Sequence, residues 1–249
     1  MTRWIRALIS AAGMCALLAG CGRQVTGLNI PGGGGITPSG TTLIRFDVAG
    51  PLDFTNVRYL IVFNTKGNNV QPTAQGTNTD VSNWSAYFVV GGGSGFVSAP
   101  GLEQLYRNPS TGALAPPYNI TIPQGTLTNF QTQLSGALSQ YGFQFTFNRC
   151  LLDLPQPSAT PPPPLSVNRI CPPFQNTVAT TWNISIFTVD NTGSPIDSLS
   201  TTGPGNGDYT FQIDTTQALS NKSYSKPAAN TTVSNPGAQI VGIEVFSTP

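Results

Sequence analysis

The sequence predicts a mainly β fold, an antiparallel β-sandwich-like domain, and three observations favour this class. Apolar and polar side chains alternate at a period of two in several short segments, as at Phe143, Phe145 and Phe147. Stretches rich in glycine, proline, asparagine and threonine separate these segments, and such residues favour turns. Only 8% of the residues are charged, whereas 13 Phe and 7 Tyr supply the apolar material for a core.

Individual strands follow from the same periodicity. Residues 43–48 alternate between apolar and polar side chains, which is typical of a strand with one buried face. Residues 57–63 are apolar on both faces apart from Arg58, and this pattern predicts a central strand covered on both sides. Further strands are predicted at residues 84–90, 143–147, 182–189, 209–213 and 240–246.

One packed amphipathic helix is predicted over about residues 127–141. Thr126 would cap its start, and Gly142 stands where a helix commonly ends in the left-handed conformation. The segment contains no charged residue, so the helix would depend on packing an apolar stripe against a sheet. Five residues at steps of three and four form that stripe: Leu127, Phe130, Leu134, Leu138 and Tyr141.

The N-terminal segment has the parts of an export signal. Arg3 and Arg6 precede an apolar stretch at residues 7–18, which is shorter than the ~20 residues of a membrane-spanning helix. The motif Leu18-Ala19-Gly20-Cys21 follows, and the composition then changes to Gly, Pro, Thr and Asn. This arrangement resembles the lipobox of bacterial lipoproteins, and the resemblance covers residues 1–21 alone.

The resemblance implies a signal peptide at residues 1–20 and lipidation of Cys21 by acyl chains such as palmitate. Two or more chains hold a protein stably on a membrane. Residues 21–40 would then be the lipidated cysteine with a flexible tether, and residues 41–249 a β-rich extracytoplasmic domain. The aspartate that tends to keep lipoproteins in the inner membrane does not follow Cys21, so the outer membrane is the predicted location in a bacterium with two membranes.

The two remaining cysteines, Cys150 and Cys171, are predicted to form a disulfide. Cys15 lies in the signal peptide and Cys21 takes lipid, and a single remaining pair in an oxidising compartment is by default a disulfide. It would close a proline-rich loop that includes the four prolines at residues 161–164. We interpret this loop as a stiff surface excursion, with a displayed proline-rich ligand as the alternative.

The residue types argue against an enzyme. The chain has no histidine, which removes the Ser-His and Cys-His pairs of nucleophilic catalysis. Neither a phosphate-binding loop nor a dinucleotide-binding motif is present. Two carboxylates would suffice for glycoside hydrolysis, but the ten acidic residues show no paired spacing, and a glycoside hydrolase is the last-ranked hypothesis.

The charge balance bears on the partners. The whole chain has a net charge of +1, and removal of the signal peptide with Arg3 and Arg6 leaves it at about −1. A chain this close to neutral is unlike a nucleic-acid-binding protein, which concentrates basic residues on one surface. The predicted partners are the membrane, through the lipid anchor, and an envelope protein or polysaccharide.

Two function classes remain open: an interaction or assembly component of the envelope, and a carbohydrate-binding module. Tyr87, Trp84 and Trp182 are the candidates for stacking on sugar rings. Alternation places both tryptophans on core-facing sides and Tyr87 on the opposite, exposed side. No cofactor is predicted, although calcium could assist a carbohydrate-binding module. Four aspartates are the candidate calcium ligands: Asp190, Asp197, Asp208 and Asp214. The alternative is that they only form turns, in which aspartate is common.

Overall fold

Two antiparallel β-sheets make up the part of the chain that the structure describes. The computed structural model describes residues 40–74, 83–93, 96, 98–105, 111, 113, 117–122, 124–134, 138–152, 181–200, 211–214, 220–226 and 232–248. The strands are β1 (Thr41–Val48), β2 (Val57–Asn64), β3 (Ala86–Gly91), β4 (Gly101–Gln104), β5 (Tyr118–Ile120), β6 (Leu127–Gln133), β7 (Tyr141–Asn148), β8 (Thr181–Asp190), β9 (Pro195–Ser198), β10 (Phe211–Asp214), β11 (Ser220–Ser225) and β12 (Ile240–Ser247).

The described strands form two sheets of defined order. The first sheet has the order β11-β12-β1-β7-β6, and the second has the order β10-β8-β2-β3-β4-β5, with β9 also paired to β8. All of these pairings are antiparallel, so the prediction of a mainly β, antiparallel fold is confirmed. No helix in the described part of the chain is both long and apolar enough to cross a membrane.

The main core lies between the facing surfaces of the two sheets. Phe88 of the second sheet has its ring centroid 4.9 Å from both Phe145 and Phe147 of the first sheet. Phe63 lies 5.8 Å from Phe147 in a T-shaped arrangement. Such aromatic pairs bury large apolar areas, and they join the sheets into one sandwich-like unit.

The central position of β2 agrees with its predicted coverage on both sides. Tyr59 and Ile61 belong to the main core, whereas Leu60 and Val62 belong to a second apolar cluster on the opposite face of the same sheet. Both faces of β2 are therefore buried, which explains why its sequence is apolar without alternation.

The prediction of a helix over residues 127–141 is wrong. Residues Leu127–Gln133 form strand β6, which pairs with β7 at the edge of the first sheet. Threonine and phenylalanine favour strands, and the segment has no ion pair that could support an isolated helix. Pairing with the alternating Phe residues of β7 therefore decides its structure.

A β-bulge explains why this strand carries helical spacing. Thr128 pairs with Thr146 and Gln131 pairs with Gln144, so β6 has one residue more than β7 between these two pairs. Asn129 takes a positive φ of 58° within the bulge. The extra residue allows Leu127 and Phe130, three positions apart, to pack against the same core.

The predicted disulfide reaches beyond the described residues. Cys150 lies in the short 3₁₀ helix Arg149–Leu152, where its backbone N–H donates to Asn148 Oδ1 at 3.1 Å. Cys171 and the proline-rich loop lie outside the described residues, as do the signal peptide, Cys21 and nearly all of the tether. The Cys150–Cys171 pair therefore stays a prediction.

Candidate functional site at the sheet edges

The aromatic residues proposed for sugar stacking are buried. Trp182 is 2% exposed and belongs to the main core, where its ring lies 5.9 Å from Phe63. Trp84 is 6% exposed and Tyr87 is 3% exposed. A pyranose ring would need an open aromatic face, and none of these three side chains offers one.

The predicted exposure of Tyr87 and its separation from Trp84 are wrong. Both side chains belong to the second apolar cluster, with ring centroids 5.5 Å apart. Trp84 precedes β3, so the alternation of that strand does not extend to it, and its indole Nε1 donates to Thr73 O at 3.2 Å. The outer face of the second sheet is buried as well. Alternate residues of β3 therefore point into two different apolar clusters, and neither set points to solvent.

A buried polar group accompanies this second cluster. The Tyr87 hydroxyl donates to Glu103 Oε2, and Arg58 Nη2 lies 3.7 Å from the same oxygen. Burial, followed by the negative charge of Glu103, raises the pKa of Tyr87 above its ordinary value. The hydroxyl therefore stays protonated and serves as a hydrogen-bond donor inside the fold.

The proposed calcium ligands do not converge in the part of the chain that the structure describes. Asp197 is fully buried and accepts hydrogen bonds from Lys226 Nζ at 2.7 Å and from Ile240 N at 2.8 Å. Asp214 lies on β10, and Asp208 lies outside the described residues. No group of three or more potential metal-ligating His, Cys, Asp or Glu side chains occurs among the described residues.

Asp190 has the geometry of a turn residue. Its Oδ1 accepts hydrogen bonds from the Thr192 backbone at 2.8 Å and from the Ser194 backbone at 2.8 Å. The Thr192 hydroxyl also donates to this carboxyl. It is the largest cause, ahead of the backbone donors, that holds the pKa of Asp190 below its usual value. Asp190 is therefore explained by turn formation, without a calcium ion.

The outer face of the first sheet carries a buried ion pair. Arg45 Nε donates to Asp47 Oδ2 at 2.8 Å, and Arg45 Nη2 donates to Ser139 O at 2.6 Å. Burial outweighs the attraction of Arg45 and raises the pKa of Asp47 to about 6. Burial also raises the pKa of Glu244, which pairs with Arg45 across β1 and β12.

Because burial raises the pKa of Asp47, we expect the fold to become more stable as the pH is lowered from 7 to about 5. The Asp47 carboxyl titrates near 3.8 in the unfolded chain and near 6 in the folded chain. Between these values the folded state binds more protons, so acidification stabilises it, by on the order of 1–3 kcal/mol. Urea unfolding at pH 7 and pH 5 measures the difference.

Variants identify the group responsible for this pH dependence. Asp47→Asn should lose most of the rise in unfolding free energy, and Asp190→Asn should keep it, because the pKa of Asp190 is lowered and lies below this pH window. A wild-type protein that is less stable at pH 5 than at pH 7 would contradict the prediction.

A pocket of about 520 Å³ lies beside the edge strands β5 and β6. Five segments of the described chain form its wall: Phe96, residues 98–102 at the start of β4, residues 119–122 at the end of β5, residues 124–125, and Leu127 at the start of β6. Phe96 lies over Gly101, where a Cβ atom would meet the phenyl ring at 2.3 Å. Glycine at position 101 therefore allows Phe96 to form part of the wall.

The buried lining residues of this pocket are apolar, and its polar lining residues are exposed. Leu102 and Ile120 are buried members of the main core, and Ile122 and Leu127 are half-buried against it, so these four form the apolar floor. The polar lining side chains are exposed at the mouth: Ser98, Asn119, Thr121 and Gln124. None of the described residues that line the pocket has an ionisable side chain.

The sequence contained one unused signal for this site. Ile120 and Ile122 alternate with Thr121, which is a strand pattern with one apolar face. The other walls come from segments that are separated along the chain. Pairing of β4 with β5 joins two of them, and Leu127 comes from β6 of the other sheet, so local sequence could not place them together.

The fold and the pocket define the class to which this chain can be assigned: an antiparallel, sandwich-like β domain with a pocket at its sheet edges whose described lining is uncharged. Comparisons with protein-family models, with curated proteins and with solved structures found no significant match to this chain. The assignment of function therefore depends on the site itself.

Proposed function

We propose that this chain is a non-enzymatic, lipid-anchored component of a bacterial envelope that binds another envelope molecule through the pocket beside β5 and β6. The observation that carries the proposal is the lining of the pocket, apolar at the floor and uncharged but hydrogen-bonding at the mouth. Pockets of ~300–1,000 Å³ with few polar groups are typical of ligand sites. The motif ending at Cys21 supports anchoring, and a Cys150–Cys171 disulfide fits the same oxidising location.

The lining of the pocket also bears on the other two hypotheses. Glycoside hydrolysis by the usual mechanism needs two carboxylates, and the described residues that line the pocket include none. A carbohydrate ligand retains support from the amides of Asn119 and Gln124, although the aromatic residues proposed for it are buried. We therefore place the interaction or assembly role first and carbohydrate binding second.

Photo-crosslinking in a diderm bacterium tests the proposal. A benzophenone amino acid at Thr121, on the rim of the pocket, should capture a recurrent envelope molecule. The same amino acid at Val70, which is 42% exposed and does not line the pocket, should not capture it. In the same strain, Cys21→Ser should move the chain from the membrane fraction to the soluble fraction.

Four outcomes of this experiment are decisive. Recurrent capture of a protein at Thr121 supports the interaction role, and capture of polysaccharide supports carbohydrate binding. Identical capture at Thr121 and Val70, or none at either position, would reject the pocket as the binding site.

A further inference from the structure

Among the described strands, β5 is an edge of the second sheet. It pairs with β4 through Leu102 opposite Ile120 and Glu103 opposite Asn119. The strand order ends at β5, and no described strand lies on its other side. An edge strand presents a row of backbone N–H and C=O groups that another strand can pair with.

The edge strands β5 and β6, which flank the pocket, differ in regularity. Strand β6 contains two irregularities in its pairing with β7, and such bulges twist an edge away from further pairing. Strand β5 is regular in its pairing with β4 and has no charged residue. Pro117 and Pro123 flank it, so a partner strand could pair only with residues 118–122.

The apolar residues of the pocket floor are spaced like alternate side chains of an extended peptide. Ile120 and Ile122 stand two residues apart, which in an extended chain is about 6.6 Å. A strand laid along β5 presents its own alternate side chains at the same repeat, so each would lie against one part of the floor. Leu127 closes the floor from the side of β6.

The uncharged side chains of the described lining favour an uncharged ligand. The described residues that line the pocket include no ionisable side chain, and the neighbouring carboxylate of Glu103 is engaged by Tyr87 and lies 3.7 Å from Arg58. A charged side chain entering the floor would lose its hydration without gaining a counter-ion. A single acyl chain would fill the floor but would leave the β5 edge unpaired.

We infer that the pocket and the β5 edge together bind an extended, uncharged peptide segment of another protein by strand addition. Backbone hydrogen bonds to residues 118–122 supply the pairing, and alternate apolar side chains of the segment occupy the floor. The inference rests on the proposed function and specifies the class of its ligand.

A peptide-binding experiment on the full chain in phosphatidylcholine nanodiscs tests this inference. The probe is a fluorescent, capped peptide of alternating threonine and valine, and fluorescence anisotropy measures its Kd. The wild-type chain should bind it. Ile122→Asp should weaken binding at least tenfold, and the control Val70→Asp should change it less than twofold.

A second arm on the wild-type chain does not depend on the folding of any variant. Two versions of the probe carry N-methyl groups on alternate backbone amides, one on each side of the strand. The version methylated on the side that faces β5 should bind at least tenfold more weakly, while the other retains its affinity. Equal affinity of both versions would overturn strand addition.

The outcomes separate the inference from the proposed function. Absence of peptide binding together with continued capture at Thr121 would overturn the inference and leave the proposed function standing. Absence of both would overturn both. Displacement of the peptide by a neutral single-chain amphiphile or by an oligosaccharide at a lower concentration than the unlabelled peptide would also overturn the inference.

Discussion

Replacing Lys226 by methionine should lower the free energy of unfolding by about 3–5 kcal/mol, because it leaves a buried carboxylate without its counter-ion. The Lys226 and Asp197 side chains are 1% and 0% exposed, with Nζ and Oδ1 2.7 Å apart. Lys226 Nζ also donates to Ser198 O at 2.9 Å. Methionine has a similar length and would fill the space without supplying any of these donors.

The ion pair is expected to matter because it joins the two sheets. Asp197 lies on β9 of the second sheet, whereas Lys226 follows β11 of the first sheet. The second oxygen of Asp197 accepts the backbone N–H of Ile240, the first residue of β12. Loss of the lysine would therefore leave an unpaired charge where the sheets meet.

Urea denaturation followed by tryptophan fluorescence measures this effect. The matched control is Lys222→Met on an exposed position of β11, which should change the unfolding free energy by less than about 0.5 kcal/mol. The double variant Lys226→Met with Asp197→Asn should recover part of the loss, since the amide is neutral and its oxygen can still accept from Ile240. A Lys226→Met cost no larger than that of the control would refute the expected role.

The strands that the sequence predicts are those in which alternate apolar residues all face the same core. In β1, Ile44, Phe46 and Val48 are all buried in the main core, as expected for one face of a half-buried strand. Between them lie Arg45 and Asp47, which are also buried and form an ion pair with each other. The sequence pattern identified the two faces but could not reveal that both are covered.

Long-range pairing accounts for the wrong helix and for the wrong position of Trp84. The spacing of Leu127 and Phe130 is shared by a helix and by a bulged strand, and only the register with β7 distinguishes them. Likewise, Trp84 follows the period of β3 in the sequence but precedes its first paired residue. In both cases the decisive contact lies with a segment that local periodicity does not contain.

The candidate site was even less accessible to sequence reasoning. Its floor combines Leu102, Ile120 and Leu127, and they become neighbours only after the edges of both sheets have formed. The ion pair between Asp197 and Lys226 spans 29 positions for the same reason. Residue chemistry could exclude histidine-dependent catalysis, but the place where an uncharged ligand can enter is a property of the assembled sheets.

Replacing Phe88 by alanine should also cost about 3–5 kcal/mol of unfolding free energy, because the removed ring leaves a cavity between the sheets. Phe88 is fully buried and contacts Phe145 and Phe147 of the opposite sheet at 4.9 Å between centroids. It also lies 6.0 Å from Phe63 of its own sheet. The surrounding rings are held by strands, so they cannot collapse fully into the space.

Phe246→Ala is the matched control, since Phe246 is half-buried and belongs to neither apolar cluster. Its cost should be about 1–2 kcal/mol from lost apolar burial alone. A double-mutant cycle of Phe88 and Phe147 should give a coupling of about 0.5–1.5 kcal/mol, the contribution expected of an aromatic pair beyond its buried area. A Phe88→Ala cost as small as that of Phe246→Ala would mean that contacts other than this aromatic group hold the sheets together.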